Sequence, residues 1–373
     1  MTQETILGYK RLEVKHIEKA DEDILALLEN TIQGSEGGIR YSVQNIREWM
    51  KYYGKGLSFI ALYKRNSLAG AIGLCQRKTL NCGSEINTTF LRYLAVRSSF
   101  QVTRKPDWHS KHRSNIEESF KQKLFSIFSN PSHASDGSED SSETCLTYAY
   151  VESRNKRSIN FIQQAGYEYT RSFLTVAFSR FNPSIRPDVR KLVPEEEDEM
   201  AKLLCEQYRN YCFYTGEFSF FNHGYYVMRK NNEIVAGVCV IPTFYRIVSV
   251  PGIMGWIMMN LLPVTPYFRR LYKPGEFRFL VLSSIYCRKG NEHLLPDLFE
   301  AACANEGHHI GLIWLDDHSW LYESLRKTRR MGAMNRLLKS KVGHVYASFT
   351  NINIDERKKF YEFPAYISGF DFA

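Results

Sequence analysis

The order of predicted elements, which occurs twice along the 373-residue chain, is the feature that most restricts its fold. Before residue 181, apolar strand-like runs alternate with amphipathic helical stretches. A linker with two prolines, residues 181–187, follows, and beyond it a similar order returns with little residue identity. Mixed α and β elements in this order are typical of sheets covered by helices. We therefore expect an α/β fold with two domains, residues 1–182 and 188–373.

Composition narrows the class of protein and its surroundings. A hydrophobic fraction of 44% and an aromatic fraction of 14% are typical of a folded globular protein. The eight cysteines form no C-x-x-C pair and have no zinc-finger spacing, so we expect reduced thiols and no metal centre. The first residues contain no basic region followed by an apolar stretch, and no secretory signal is expected. Together these features predict a cytoplasmic protein.

The net charge of +9 and the pI near 9.0 fit an anionic ligand, such as nucleic acid, a phospholipid surface or a phosphorylated cofactor. The basic residues are scattered among acidic ones and no nucleic-acid-reading motif is present, so we expect no nucleic acid partner. Residues 247–264 are uncharged and have about the minimum length of a membrane span. Prolines and glycines interrupt this stretch. A buried helix, an interdomain surface or the wall of a substrate pocket explains it better than a span.

The most specific pattern is the stretch YAYVESRNKRSINFIQQAGYEYTRSF, residues 148–173. It predicts a strand, a helix that begins after Asn155 and carries Ser158 and Phe161, and a second strand after Gly166. An earlier strand, FLRYLAVRSSF at residues 90–100, ends in Leu-Ala-Val. In this combination the chain resembles the GNAT superfamily of N-acyltransferases. A plain strand–helix–strand unit with an asparagine cap is the structural alternative.

The resemblance implies two tandem GNAT-like domains, each a mixed, mostly antiparallel sheet with splayed central strands and flanking helices. In that fold the open backbone of one central strand binds the pantetheine arm of coenzyme A, as it would bind a peptide strand. It therefore implies that acetyl-CoA is the cofactor and that the main chain of Leu94 and Val96 contacts it. By the same resemblance Asn155, Ser158 and Phe161 are further cofactor-binding candidates.

The loop after that strand departs from the family pattern. The family shows a Gln or Arg and then a glycine-rich turn whose amides bind the pyrophosphate at a helix N-terminus. Here Gln101 stands near the expected place, and no glycine follows it. Side-chain charge can replace the missing amides, and a solvated basic loop is the alternative. The candidates are the capping serine of the next helix, Ser114, and four cations that precede it: Arg104, Lys105, Lys111 and Arg113.

The predicted chemistry requires a base that neutralises the amine and an acid that protonates the departing thiolate. The family tyrosine that supplies this acid is replaced here by Ile162. Tyr150 is our candidate substitute, with Tyr148 and Tyr167 as further possibilities, and Glu152 is the candidate general base. Packing of the tyrosines and a surface position of Glu152 are the alternatives.

The second half carries weaker signals. Gly290, after two cations and before a helix, fits either a phosphate turn or an ordinary strand-to-helix turn. We interpret this half as a degenerate domain that shapes the substrate pocket. The expected function is direct transfer of an acetyl group from acetyl-CoA to a small-molecule or peptide amine. A non-catalytic coenzyme-A-binding or regulatory module is the alternative, and a homodimer stays open.

Overall fold

The computed structural model describes residues 3–9, 11–35, 37–97, 122–128, 144–337 and 342–373. Fourteen strands in these ranges form one sheet, and helices flank it. The strands of the first half are β1 (Gln3–Tyr9), β2 (Leu12–Ile17), β3 (Arg40–Val43), β4 (Leu57–Lys64), β5 (Ser67–Asn81), β6 (Ser84–Val96), β7 (Cys145–Glu152) and β8 (Glu168–Ser179). Its helices are α1 (Glu22–Glu29), α2 (Ile46–Tyr52), α3 (residues 122–128) and α4 (Lys156–Gln164).

The described part of the second half contributes six strands and six α-helices. Its strands are β9 (Val189–Lys191), β10 (Tyr225–Lys230), β11 (Glu233–Ser249), β12 (Phe277–Cys287), β13 (Ile310–Asp316) and β14 (Val342–Thr350). Its helices are α5 (Glu197–Gln207), α6 (Gly252–Trp256), α7 (Leu295–Asn305), α8 (Trp320–Thr328), α9 (Ala333–Leu337) and α10 (Ile354–Glu362). Nearly every side chain of β12 is buried, as expected for a strand covered on both faces.

The strand order is β1-β2-β4-β5-β6-β7-β14-β8-β13-β12-β11-β10-β9, with β3 paired to β11. Among the described strands, β6 with β7 and β12 with β13 are the parallel pairs, and the other pairs are antiparallel. This confirms the mixed, mostly antiparallel sheet predicted from the sequence. One parallel pair lies in each half.

The centre of the sheet contains an exchange of strands between the halves. β14, from the second half, pairs with β7 on one side and β8 on the other. β8, from the first half, pairs with β13. Each half therefore places its last strand beside the central strand of the other half. The predicted division into two domains at residues 182–188 stays a prediction, because strands from both sides of it belong to one sheet.

Two local features of the first half depend on how strands pair. β1 and β2 form a hairpin. Ser42 has a side chain that often caps helices, but it lies in β3 opposite Arg246 of β11, and α2 begins after Asn45. A strand whose partner lies about 200 residues away leaves no local signal in the sequence. The helix expected after Ser114 is described from residue 122 to residue 128.

Candidate functional site

The site begins where β6 and β7 separate. The two strands pair in parallel from Asn87 and Cys145 to Leu91 and Ala149. Beyond that point β6 continues to its end beside β5, and β7 leaves it. In the described structure no strand pairs with this edge of residues 92–95. The gap expected near the end of β6 therefore exists, and it opens earlier, directly after Leu91.

A β-bulge explains the divergence of the two strands. Tyr93 and Leu94 together stand opposite the single residue Ile72 of β5. Tyr93 has a φ of 58°, in the left-handed region. Such a bulge bends its strand and increases the local twist. The bend turns the main chain after Leu91 away from β7 and leaves space between the strands.

A cavity of about 430 Å³ occupies this space and reaches both halves of the chain. A volume of this size is typical of a small-molecule or cofactor site. Seven of the sequence-predicted residues line it: Leu94, Tyr150, Glu152, Asn155, Ser158, Phe161 and Tyr167. Val96 is 42% exposed at the end of β6 and is not part of the lining. The loop candidates Gln101, Arg104, Lys105, Lys111, Arg113 and Ser114 lie outside the described residues.

The start of α4 forms one wall of the cavity. The side-chain oxygen of Asn155 accepts a hydrogen bond from the main-chain N–H of Ser158 at 3.1 Å, which caps the helix. Phe161, which lies about one helical turn after Ser158, packs edge-on against Phe125 and Phe128 of α3. The asparagine cap predicted from the sequence is therefore confirmed as a structural feature, and it faces the cavity.

Glu152 is the last residue of β7 and lies at the mouth of the gap. Its Oε2 accepts a hydrogen bond from the main-chain N–H of Ser35 at 3.1 Å. The chain near Ser35 approaches the carboxylate of Glu152 so closely that a Cβ at Gly38 would lie 2.9 Å from Oε1. Burial and the negative charge of Glu152 raise the pKa of Tyr41 to about 12. Tyr41 also lines the cavity, and it therefore stays protonated and can donate a hydrogen bond.

The tyrosines proposed as acids differ in what holds their hydroxyl groups. Tyr148 Oη is bonded to the guanidinium of Arg77, and Tyr167 Oη donates to the carbonyl of Phe128 at 2.5 Å. Tyr150 Oη is buried and has no hydrogen-bond partner of normal geometry among the described residues, and the hydroxyl of Tyr148 is its polar neighbour. Burial raises the pKa of Tyr150 well above 10, so its hydroxyl is protonated at neutral pH. Tyr148 Oη accepts from Arg77 and does not line the cavity, and Tyr167 lines it but donates its proton to the main chain. Of the three, Tyr150 is the one that lines the cavity without donating its proton to the main chain.

Tyr93 provides a second buried hydroxyl group at the cavity. Its Oη makes no hydrogen bond to the described residues, and burial raises the pKa of Tyr93 to about 12. A buried polar group without a partner costs about 1–3 kcal/mol. Two such groups beside one cavity indicate a site that binds a polar ligand. Sequence reasoning missed Tyr93 because a bulge has no reliable local signal.

The C-terminal segment forms another wall that the sequence did not indicate. The ring of Phe372 stacks on Trp314 of β13 at 4.3 Å and on Tyr150 at 5.5 Å, both nearly parallel. The guanidinium of Arg92 donates to the main-chain oxygens of Phe370 and Ala373, at 3.3 and 2.7 Å. These contacts bring residues from both halves of the chain to one cavity.

The second half repeats the gap but fills it. β12 and β13 pair in parallel only at Leu280 and Val281, and Ser284 of β12 has a φ of 45° in a matching bulge. The main chain freed there is bonded to the protein itself. The carbonyl of Ile285 accepts from Tyr208 Oη at 2.7 Å and from Gln207 Nε2 at 2.6 Å.

Further contacts complete the closure of this second gap. The N–H of Cys287 donates to Gln207 Oε1 at 2.8 Å, and Tyr366 fills the space above. A cavity of only about 20 Å³ remains. At the turn proposed for phosphate, the amide of Gly290 donates to Glu292 Oε1 at 2.9 Å, so the chain's own carboxylate takes that position. One gap is thus open and its counterpart is closed by side chains.

Two further searches of the described residues complete the picture. No three His, Cys, Asp or Glu side chains there lie together as a metal site. None of the helices described is long and apolar enough to cross a membrane.

Comparison with solved structures finds the same fold in known proteins. Saccharomyces cerevisiae N-myristoyltransferase with bound myristoyl-CoA has a TM-score of 0.56 and 11% identity, over 93% of this chain and 85% of that one. A structure of that enzyme with myristoyl-CoA and inhibitors gives 0.54 and 11%, over 95% and 87%. A GCN5-related N-acetyltransferase from Anabaena variabilis gives 0.46 and 10%, over 90% and 72%. No protein-family model and no curated protein matches the sequence.

Proposed function

Because the chain has the fold of the GNAT superfamily, we propose that it is an acyl-CoA-dependent N-acyltransferase. The observation that carries this proposal is the open gap between β6 and β7, whose counterpart between β12 and β13 is filled by protein. An unpaired strand edge beside an apolar cavity can bind the amide-bearing arm of coenzyme A as it would bind a peptide. The bulge residues Tyr93 and Leu94 lie at that edge.

The residues of the cavity suit direct transfer to an amine. Glu152 would accept the proton that the amine loses as its nitrogen bonds to the thioester carbon. The carbon–sulfur bond then breaks, and Tyr150 Oη would give its proton to the departing sulfur. Burial raises the pKa of Tyr150 and so keeps its proton in place at neutral pH. A thiol has a lower pKa, about 8.5, so the raised pKa does not by itself favour the transfer, and the position of the hydroxyl on the cavity is what supports this role.

Two observations bear on the length of the acyl chain that the donor carries, and they favour different lengths. The motifs at residues 90–173 resemble those of acetyltransferases and favour acetyl-CoA. The cavity, however, extends past the gap to apolar side chains of the second half, including Ile247, Phe277 and Leu312. An acetyl group does not need that space, so a longer acyl chain is the second candidate. The myristoyl-CoA held by the yeast enzyme is a further reason to test long chains on this protein.

The proposed acceptor is the amine of a small molecule or a peptide that enters between the two halves. Support comes from the lining of the cavity, which combines β7 and α4 with β11 and β13. The cytoplasm is the proposed location. A regulatory module that binds coenzyme A without turnover is the alternative, and the isoleucine at position 162 is the feature that favours it.

Calorimetric titration with acetyl-, octanoyl- and palmitoyl-CoA tests binding, and release of free thiol over a panel of amines tests turnover. We expect binding of at least one donor and thiol release that depends on the amine. Glu152→Gln should retain donor binding and lose turnover, whereas Glu168→Gln, a partly exposed carboxylate bonded to Arg357, should behave as wild type. Binding without thiol release on the whole panel would support the regulatory module. No binding of any donor would refute both.

A further inference from the structure

Residues 248–267 concentrate the exposed apolar surface of the protein. Of the sixteen large hydrophobic side chains that are exposed in the described part of the chain, six lie in these twenty residues. Soluble proteins rarely expose apolar side chains in such clusters unless the cluster binds something. We call this set the apolar ridge: Val248, Ile253, Trp256, Leu261, Val264 and Tyr267.

The spacing of the ridge residues follows the local helix type. The step from Ile253 to Trp256 is three residues in α6. The step from Trp256 to Leu261 is five residues across a π-helical turn, Ile257–Leu261. The step from Leu261 to Val264 is three residues in a 3₁₀ turn, Leu262–Val264. Each step is close to one full turn of its helix, so these side chains point to the same side.

The opposite side of the segment is fixed to the protein. Met258 and Leu262 are 2% and 8% exposed and belong to the main core cluster. Phe268 and Ile257 pack against the same cluster. The ridge is therefore held outward by a buried inner face, with Ile253 84% exposed and Trp256 62% exposed.

The stretch of chain that carries the ridge has charges of one sign. Between Glu233 and Glu276 the chain has 42 residues without a single acid, and its charged side chains are Arg246, Arg269, Arg270 and Lys273. All four are exposed. In a chain where acids make up 40 of 89 charged residues, this distribution sets the region apart.

We propose that the apolar ridge and its four cations bind the surface of an anionic lipid bilayer. Apolar side chains on a cationic helical segment enter the boundary between headgroups and acyl chains, and arginine and lysine bind the anionic headgroups. Trp256 and Tyr267 have the side chains that favour this boundary. Lying on the surface differs from crossing it, and the segment is too broken to cross.

The charges select a lipid surface over a second copy of the chain. A symmetric dimer through this face would place the same patch on both subunits. Four cations would then face four cations with no acid in the segment to neutralise them. An anionic bilayer supplies the opposite charge. The strands on either side of the segment carry Tyr245 and Phe277, which line the cavity, so a bound membrane would lie close to the site.

Flotation of the full chain with vesicles tests this proposal, which does not depend on the proposed function. We expect binding to phosphatidylcholine vesicles that contain phosphatidylserine, and weaker binding as salt increases or without phosphatidylserine. Arg269→Gln with Arg270→Gln should weaken binding on the order of 25-fold, about fivefold for each charge. Ile253→Asp with Trp256→Ser should weaken it roughly tenfold or more.

Ile354→Asp is the matched control, because Ile354 is 73% exposed on α10, away from the ridge in sequence. It should bind vesicles as wild type does, and all variants should keep the wild-type melting temperature. The proposal is overturned if the wild type does not float, or if the Ile253→Asp and Trp256→Ser variant floats equally well. A dimer in ultracentrifugation that this variant dissociates, without vesicle binding, would assign the ridge to a second copy instead.

Discussion

Asp316, at the end of β13, has no exposed side-chain surface and accepts four hydrogen bonds. The guanidinium of Arg171 donates to both oxygens, each at 2.8 Å. The main-chain N–H of His318 donates to Oδ1 and that of Ala365 to Oδ2, both at 2.9 Å. The carboxylate thus connects β8, β13 and the C-terminal segment that forms a wall of the cavity.

Asp316→Asn tests the contribution of this carboxylate. Whichever way the amide is oriented, its NH₂ group meets one Arg171 donor and one main-chain N–H, so two of the four bonds are lost. A hydrogen bond to a charged group contributes about 1.5–3 kcal/mol, and an unsatisfied buried N–H costs about 1–3 kcal/mol. The two contributions add to about 2.5–6 kcal/mol, a range that contains the usual cost of breaking a buried ion pair, about 3–5 kcal/mol.

Urea unfolding followed by tryptophan fluorescence measures this loss, since Trp314 lies on the same strand. Asp355→Asn is the control, because Asp355 has a 90% exposed side chain on α10 and should lose almost nothing. We also expect weaker donor binding in Asp316→Asn, because Ala365 precedes the segment that carries Phe372. A loss below about 1 kcal/mol, similar to the control, would refute the assignment.

Three further predictions follow from other contacts. Tyr150→Phe should lower kcat of thiol release about 10²–10⁴-fold with donor binding unchanged in calorimetry, and an unchanged kcat would remove Tyr150 as the acid. The hydrogen bond from Arg190 lowers the pKa of Glu196 to about 2. The stabilisation that this pair provides is therefore complete above pH 4.5 and is lost as the pH falls toward 2. In Glu196→Gln the free energy of unfolding should therefore depend less on pH between 4.5 and 2. Gly343→Ala would place a Cβ 2.2 Å from the ring of Phe173, and calorimetry should show a clearly lower Tm.

Local signals in the sequence were sufficient for the elements that local interactions determine. The asparagine cap of α4 and the turn at Gly166 involve contacts within a few residues, and both lie where they were predicted. The open gap followed from the same motifs through family resemblance. The positions of Leu94, Tyr150 and Glu152 on one cavity are consistent with that resemblance, and their chemical roles stay predictions.

Contacts distant in sequence could not be predicted in this way. Arg77 bonds the hydroxyl of Tyr148, 71 residues away, and the carboxylate of Asp371, 294 residues away. Nothing near Tyr148 in the sequence indicated that its hydroxyl oxygen accepts a hydrogen bond from Arg77. The wall formed by Phe372 and the closure of the second gap by Gln207 depend on the same kind of distant packing.

The central position of β8 and β14 has a consequence for how the chain acquires its structure. β7 finds its neighbour β14 only after about 190 further residues have been synthesised, and until then one edge of β7 is exposed. Pairings of such long sequence separation form slowly, and an exposed apolar edge recruits other chains. A fragment ended at the linker would keep that edge permanently. The two halves therefore complete one sheet only together, and we expect such a fragment to associate with other chains through that edge.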